Sequence, residues 1–192
     1  MRSDNHIHVL WVVGIIAASF FFLSNGSTAA QQDEEKIRNQ ALLHLNQGNW
    51  KDALDIFRRL AQDSSSNPAR VPDDVQNAIQ CLNNLGLMEE LDEFLASVVE
   101  AHSNNWRVLK QAAESIRHAP HQGIVASNAF HRAPQSNTSG VWVTVQEQDR
   151  QQSLTWLIRA IPLVENCSAA RGECRAYHSR AARYSFAATR WK

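Results

Sequence analysis

The fold of this chain is decided by the stretch Gly48-Asn49-Trp50-Lys51-Asp52-Ala53-Leu54-Asp55-Ile56-Phe57-Arg58-Arg59-Leu60. Its larger apolar residues recur at helical spacing and form one face, which consists of Trp50, Ala53, Leu54, Phe57 and Leu60. Glycine adopts the left-handed backbone conformation in which many helices end, so Gly48 is placed to terminate a preceding helix. The stretch therefore predicts the turn and the second helix of a helical hairpin.

The same periodicity continues on both sides of this stretch. It predicts further helices at about 33–46, 72–85, 88–99, 106–116 and 144–164. Gly48, Gly86 and Gly123 follow the odd-numbered helices at nearly equal separations, which indicates a repeat of helix pairs. Residues 120–140 form a mixed insertion in which 124–130 predicts a short helix. Residues 141–143 allow a short strand with no evident partner.

Gly48, Trp50, Ala53 and Phe57 stand at the offsets of a known motif, and the stretch resembles the tetratricopeptide repeat. The resemblance implies an all-α fold of about three stacked antiparallel helix pairs that form a right-handed solenoid; the alternative is an irregular helical bundle. The expected repeat core consists of Trp50, Ala53, Leu54, Phe57, Leu60, Leu82, Leu91, Leu95, Trp106, Leu109, Leu157 and Ile161.

The N-terminus has the pattern of an export signal. Arg2 precedes an uncharged, mostly apolar run from Val9 to Leu23, and a small-residue segment follows it. This pattern predicts a signal peptide at residues 1–30, with cleavage after Ala29 or Ala30. The alternatives are a retained membrane anchor and a buried helix. A cleaved signal implies an exported protein in the periplasm or outside the cell.

The C-terminal residues 167–192 differ from the helical-repeat domain at 31–166. They are rich in alanine and arginine and are basic, whereas the preceding domain is acidic. One interpretation is a basic amphipathic helix that binds an anionic membrane surface. The interpretation that the composition favours is a disordered or non-native tail, of the kind that a shifted reading frame produces.

Candidate chemistry is sparse in this sequence. The chain has seven glycines and no phosphate-binding loop, and no nucleophile elbow is present. His118, His121 and His131 form the one histidine cluster that suggests a metal. Pro120 interrupts the helix between the first two, and Arg132 beside the third disfavours a cation, so capping or solvated histidines are the simpler interpretation. No catalytic residue, cofactor or metal ligand is predicted.

A wider resemblance covers the segment from Gly48 to Val164. The residues that carry it are Trp50-Lys51-Asp52-Ala53, Ala78-Ile79-Gln80-Cys81-Leu82, Ala101-His102-Ser103-Asn104-Asn105-Trp106-Arg107, Phe130-His131-Arg132, and the stretch from Asp149-Arg150 to Pro162-Leu163. This segment is similar to the N-terminal helical region of exported bacterial proteins of the alpha-2-macroglobulin type. The resemblance implies that the chain is the leader and first domain of a truncated gene product. It assigns protease trapping to no residue of this chain.

Together these patterns predict an exported, non-enzymatic helical-repeat scaffold that binds a protein or peptide. The formal net charge is zero, which gives no reason to expect nucleic acid as a partner. A membrane contact is expected only through an uncleaved signal segment or the basic tail. The alternative function is an envelope metal-binding protein or hydrolase that uses His118, His121 and His131.

Overall fold

The computed structural model describes residues 29–134 and 139–165. The proposed signal peptide lies outside these residues except for its last two positions, and the basic tail lies outside them entirely. In the described part of the chain, no helix is both long and apolar enough to cross a membrane.

The chain divides into two compact units, Met1–Gln40 and Ala41–Lys192. In the first unit, residues 29–40 are helical. Lys36 Nζ donates to Asp33 Oδ1 over 2.8 Å, and Arg38 pairs with Glu34 one turn away. Such pairs support the helix locally, as expected for opposite charges three or four residues apart.

The second unit is mostly helical. Residues 29–46 form helix α1. The next helices are α2 (Trp50–Gln62), α3 (Val71–Leu85), α4 (Leu91–Ala101), α5 (Trp106–His118) and α6 (Gln146–Glu165), with a single 3-10 turn at Met88–Glu90. Helix α2 packs on α3 and α4, α3 packs on α5, and α5 packs on α4 and α6. Contacts to the next helix and the next but one are what stacked helix pairs produce.

The residues expected in the repeat core lie between these helices. Trp50 and Ile161 are partly buried at the edge of the core. The others are buried: Ala53, Leu54, Phe57, Leu60, Leu82, Leu91, Leu95, Trp106, Leu109 and Leu157. Ala53 is fully buried and Phe57 is 1% exposed, so the small and large residues of the opening stretch are packed side by side.

Two of the three repeated glycines end helices, as predicted. Gly48 has φ +78° and Gly86 has φ +70°, both in the left-handed region. The third prediction is wrong, because Gly123 lies in a strand. A Cβ on Gly123 would meet the Phe130 ring 2.5 Å from Cε2, so glycine is required there for close packing.

A small sheet replaces the helix predicted at 124–130, so the prediction of an all-α fold is wrong in this segment. Strands β1 (Gln122–Ala126), β2 (Ala129–Arg132) and β3 (Val141–Thr144) form an antiparallel sheet of order β2-β1-β3. Ser127 and Asn128 both have positive φ, the geometry of a two-residue hairpin turn. Helix α5 ends at His118 and Pro120 follows, so the chain is free to become extended.

Strand β1 is also the partner that the sequence did not reveal for residues 141–143. Ile124 pairs with Trp142 and Gly123 pairs with Val143. Thr144 ends this strand, and α6 begins two residues later, at Gln146. The sequence pattern of Thr144 and Glu147 also predicts a helix-capping box, and this prediction is wrong because Thr144 lies in the strand. Glu147 instead binds Arg150 in its own helix.

Candidate functional site

A cleft of about 700 Å³ lies between α4 and α6. Helix α4 contributes Asp92, Ala96, Val99 and Glu100, and Ser103 lies just beyond its end. Helix α6 contributes Gln148, Asp149, Gln152, Trp156 and Arg159. Each set recurs at three- and four-residue steps, so each wall is one face of one helix.

The length of the cleft follows from helix geometry. Both walls cover eleven residue-to-residue steps, from Asp92 to Ser103 and from Gln148 to Arg159. At 1.5 Å per residue this gives walls of about 16 Å. An extended peptide advances about 3.3 Å per residue, so a segment of about five residues fits along the cleft.

The base of the cleft is apolar. Val99, Ile116 and Trp156 are at most 6% exposed, and each presents part of its side chain to the opening. Phe130 of β2 is partly exposed beside them. Its ring occupies space that a Cβ atom on Gly123 would otherwise fill. Concave sites with apolar linings and a few polar groups are typical of binding sites.

Arg132 closes one end of the cleft. It is 2% exposed and binds both walls. Its Nε and Nη2 donate to the two carboxylate oxygens of Asp92 over 3.1 and 2.7 Å. Its Nη1 and Nη2 donate to the two oxygens of Asp149 over 2.8 and 2.9 Å. Because Asp92 and Asp149 both stand in the first turns of their helices, Arg132 joins the N-terminal ends of α4 and α6.

The guanidinium of Arg132 has no donor left for a ligand. Its remaining Nη1 hydrogen is directed to the Pro120 carbonyl at 2.6 Å, which brings the number of its hydrogen bonds to the five that guanidinium can donate. Its charge also lies 5.4 Å from the Phe130 ring centroid. Arg132 therefore shapes the cleft and is not available to bind a carboxylate.

Asp149 and Arg132 each stabilise the ionised form of the other. Burial acts to raise the pKa of Asp149, but the hydrogen bonds from Arg132 and His121 outweigh it and leave that pKa below its ordinary value. Burial likewise acts to lower the pKa of Arg132, and hydrogen bonds to Asp149 and Asp92 raise it overall. Arg132, Asp92 and Asp149 thus bring one positive charge and two carboxylates to the closed end of the cleft.

The structure does not bring the three candidate histidines to one point. His118 is exposed and its Nδ1 lies 2.7 Å from the Glu114 carbonyl. His121 Nδ1 donates to Asp149 Oδ2 over 2.7 Å, and His131 Nδ1 lies 3.5 Å from Glu89 Oε2. Within residues 29–134 and 139–165, no group of three or more potential ligands could hold a metal ion.

Sequence reasoning missed Arg132, Asp92 and Asp149 as a group. In the sequence, Asp92 stands with Glu89, Glu90 and Glu93 at the start of the predicted fourth helix, a pattern typical of a solvated helix face, and the segment after Arg132 is too polar to be core. The pairs lie 40 and 17 residues apart along the chain, beyond the range of any local pattern. One signal in the sequence could have revealed part of this group. Ser127-Asn128 stands between two short apolar runs, which favours a β-hairpin turn, and Arg132 would then lie on the second strand of the hairpin.

No protein-family model matches the sequence, and no curated protein matches it. Two solved structures are similar in fold, and both are of the Yersinia enterocolitica type III secretion translocator chaperone SycD. One is 14% identical and covers 78% of this chain and 88% of that chain, with a TM-score of 0.43. The other, an alternative dimer, is 13% identical and covers 80% and 92%, also with a TM-score of 0.43. A likeness this distant concerns the arrangement of helices and carries no argument about function.

Proposed function

We propose that this chain is a non-enzymatic scaffold that holds an extended segment of a partner protein in the cleft between α4 and α6. The observation that carries the proposal is the cleft itself, with its apolar base and its end locked by Arg132. A rigid, preformed site reduces the ordering cost of binding. The stacked helix pairs, as a right-handed solenoid, supply the rigid walls.

The polar groups of the cleft suit a main-chain ligand. Gln148, Gln152 and Ser103 offer both donors and acceptors along the walls, as the alternating groups of an extended backbone require. Val99 and Trp156 offer apolar contact for one or two side chains between them. Glu100 and Arg159 are exposed charges, each on one wall, that select the charges of the ligand.

A random library of displayed peptides tests this function. Peptides selected on the parent protein should lose binding when Ala96→Trp fills the cleft from the middle of α4. Ala69→Trp makes the same change at an exposed position outside the cleft lining and should leave binding intact. Peptides that bind both variants equally well, or no enriched peptides at all, would contradict the proposal.

Export is a further part of the proposal and rests on the N-terminal sequence alone. Mass spectrometry of the protein from the periplasm or the medium should show an N-terminus at Ala30 or Gln31. An intact Met1 in the membrane fraction would indicate a retained anchor instead.

A relationship to alpha-2-macroglobulin-type proteins is also a hypothesis. It rests only on the similarity of the segment from Gly48 to Val164 to the N-terminal helical region of those proteins. DNA downstream of the codon for Lys192, translated in all three frames, tests it. Sequence with the strand pattern of macroglobulin domains would support the hypothesis, and its absence there would contradict it.

A further inference from the structure

Strand β3 leaves one edge of the sheet unpaired by any other described strand. In the order β2-β1-β3, β1 is central and β3 pairs with β1 on one side. Val141 is 69% exposed and Trp142 is 65% exposed, and the strand contains no charged residue or proline. Edge strands commonly carry charged residues or proline, which prevent pairing with another strand.

The hydrogen-bond phase of the sheet identifies which groups of β3 face outward. Val145 N donates to His121 O over 2.8 Å, which makes 121 and 145 a hydrogen-bonded pair. In an antiparallel ladder such pairs alternate with non-bonded ones, so Val143 and Val141 also bond to β1. Ala133 N donates to Gln122 O on the other side of β1, which agrees with this phase. The backbone N–H and C=O groups of Trp142 and Thr144 therefore point away from the sheet.

We propose that this edge binds the β3 strand of a second copy of the chain, with a two-fold axis through Val143. Antiparallel pairing about Val143 sets Trp142 opposite Thr144 of the second copy, and Thr144 opposite its Trp142. Both outward residues of each strand are then hydrogen-bonded, in two pairs with about four bonds. A register centred on Trp142 or on Thr144 uses only one such pair within the strand.

The side chains fit the same arrangement. Trp142 and Thr144 lie on one face of the strand, so the two tryptophans become diagonal neighbours about 7–8 Å apart, within reach of aromatic rings. The absence of charge in β3 removes like-charge repulsion between two identical strands. A four-residue edge is small, so the dimer is expected to be weak, with a dissociation constant of about 10–100 μM.

Sedimentation of the full chain at about 10 μM to 1 mM tests the association. The parent should pass from monomer to dimer across this range. Thr144→Pro removes an outward N–H without removing a bond to β1, and should raise the dissociation constant about tenfold or more. Thr144→Val keeps the N–H and is the matched control, which should dimerise as the parent does. A parent that is monomeric throughout, or a Thr144→Pro protein that dimerises equally well, overturns the proposal.

Cross-linking tests the register independently. Val143 would face Val143 of the second copy in a non-bonded pair, at a Cα separation of about 4.5 Å that a disulfide can span. In a chain with Cys167→Ser and Cys174→Ser, Val143→Cys should form covalent dimers with oxidised glutathione, and Val141→Cys should not. Cys81 is fully buried, and burial raises the pKa of its thiol to about 11, so it does not compete. Equal cross-linking at both positions, or cross-linking at neither, contradicts this pairing.

Discussion

At the residue scale, Arg132 is a buried charge whose hydrogen bonds join distant parts of the chain. It touches α4, α6 and the loop before β1 together, through Asp92, Asp149 and the Pro120 carbonyl. Asp92 is 44% exposed and Asp149 is 7% exposed, so the second carboxylate depends more on Arg132. Breaking a buried pair costs more than the pair itself contributes, because it leaves a charge without a partner.

We predict that Arg132→Met lowers the free energy of unfolding by about 3 kcal/mol, near the lower end for buried pairs because Asp92 is partly solvated. Urea unfolding followed by circular dichroism measures this. Arg150→Met breaks the exposed pair with Glu147 and should have no measurable effect. Adding Asp149→Asn to Arg132→Met should restore part of the loss, because it removes the unpaired charge. Equal effects of the two arginine substitutions would be evidence against a special role for Arg132.

The shifted pKa of Asp149 makes the free energy of unfolding depend on pH. Its pKa in the native state is lower than the ordinary value of about 3.9, so the unfolded chain takes up the proton first. The stabilisation is complete above about pH 4 and is lost as the pH falls through the lower native pKa.

The parent and Asp149→Asn should therefore differ most in free energy of unfolding at neutral pH, and the difference should shrink below about pH 4. Denaturant titrations at several pH values between 7 and 3 give this difference. A difference that stays constant over the whole range would mean that Asp149 is not the group that couples folding to protons.

His102 is a second buried titratable side chain, and it connects α2 to the end of α4. It is buried just after α4, and its Nε2 lies 3.1 Å from the carbonyl of Ala61 in α2. Burial lowers its pKa, and the hydrogen bond to Ala61 and the charge of Asp63 offset this only in part. The neutral ring therefore donates to Ala61. Its contribution is complete above about pH 6.5 and is lost as the pH falls through the lower native pKa.

At the element scale, the opening stretch is a helix because of its spacing and remains in place because of its packing. Trp50–Gln62 shows the period of an amphipathic helix, and α3 and α4 pack against its buried face. Gly48 sets the angle at which the chain enters it, with a left-handed conformation that other residues adopt only with strain.

We predict that Phe57→Ala lowers the free energy of unfolding by about 3–5 kcal/mol, since it leaves a cavity in a closed site. Ala53→Leu should cost about 1–3 kcal/mol by overpacking the fully buried position. Leu43→Ala is the control, because that side chain is 55% exposed, and it should change stability by less than about 0.5 kcal/mol. Thermal and urea unfolding measure all three. Unchanged unfolding curves for both core variants would refute the packing of this helix.

At the scale of the whole molecule, α6 completes the described second unit. Ser153 Oγ donates to the Ala113 carbonyl over 2.9 Å, and Val164 near the C-terminal end of the helix is 1% exposed. Pro162 lies within the helix, which nevertheless continues to Glu165. The packed part of this helix thus extends nearly to the start of the basic tail.

We predict that truncation after Asn166 changes the free energy of unfolding by less than about 0.5 kcal/mol, because the tail has too few apolar residues to add to a core. Truncation after Ala160 also removes the buried Val164 and should destabilise the protein by about 2 kcal/mol or more. Chemical unfolding without lipid measures both. A loss of 2 kcal/mol from the longer truncated chain would mean that the tail docks on the domain and would make a shifted reading frame untenable.

The sequence by itself determined the elements whose signals are local. Helical spacing predicted the six helices, and Gly48 and Gly86 marked helix ends at positions that the structure bears out. Each of these signals acts within one or two helical turns, so a single stretch contains all the information needed.

Only the tertiary structure decided the sheet, the end of the cleft and the edge of β3 that no other described strand pairs with. Gly123 has the same spacing as the helix-ending glycines, but contact with Phe130 assigns it to a strand. The sequence alone would place a charged residue such as Arg132 at the surface. Arg132 is buried because Asp92 and Asp149 bind it from two helices that are distant along the chain. The physical reason is that burial of a charge depends on partners in space, and their distance along the chain leaves no periodic trace.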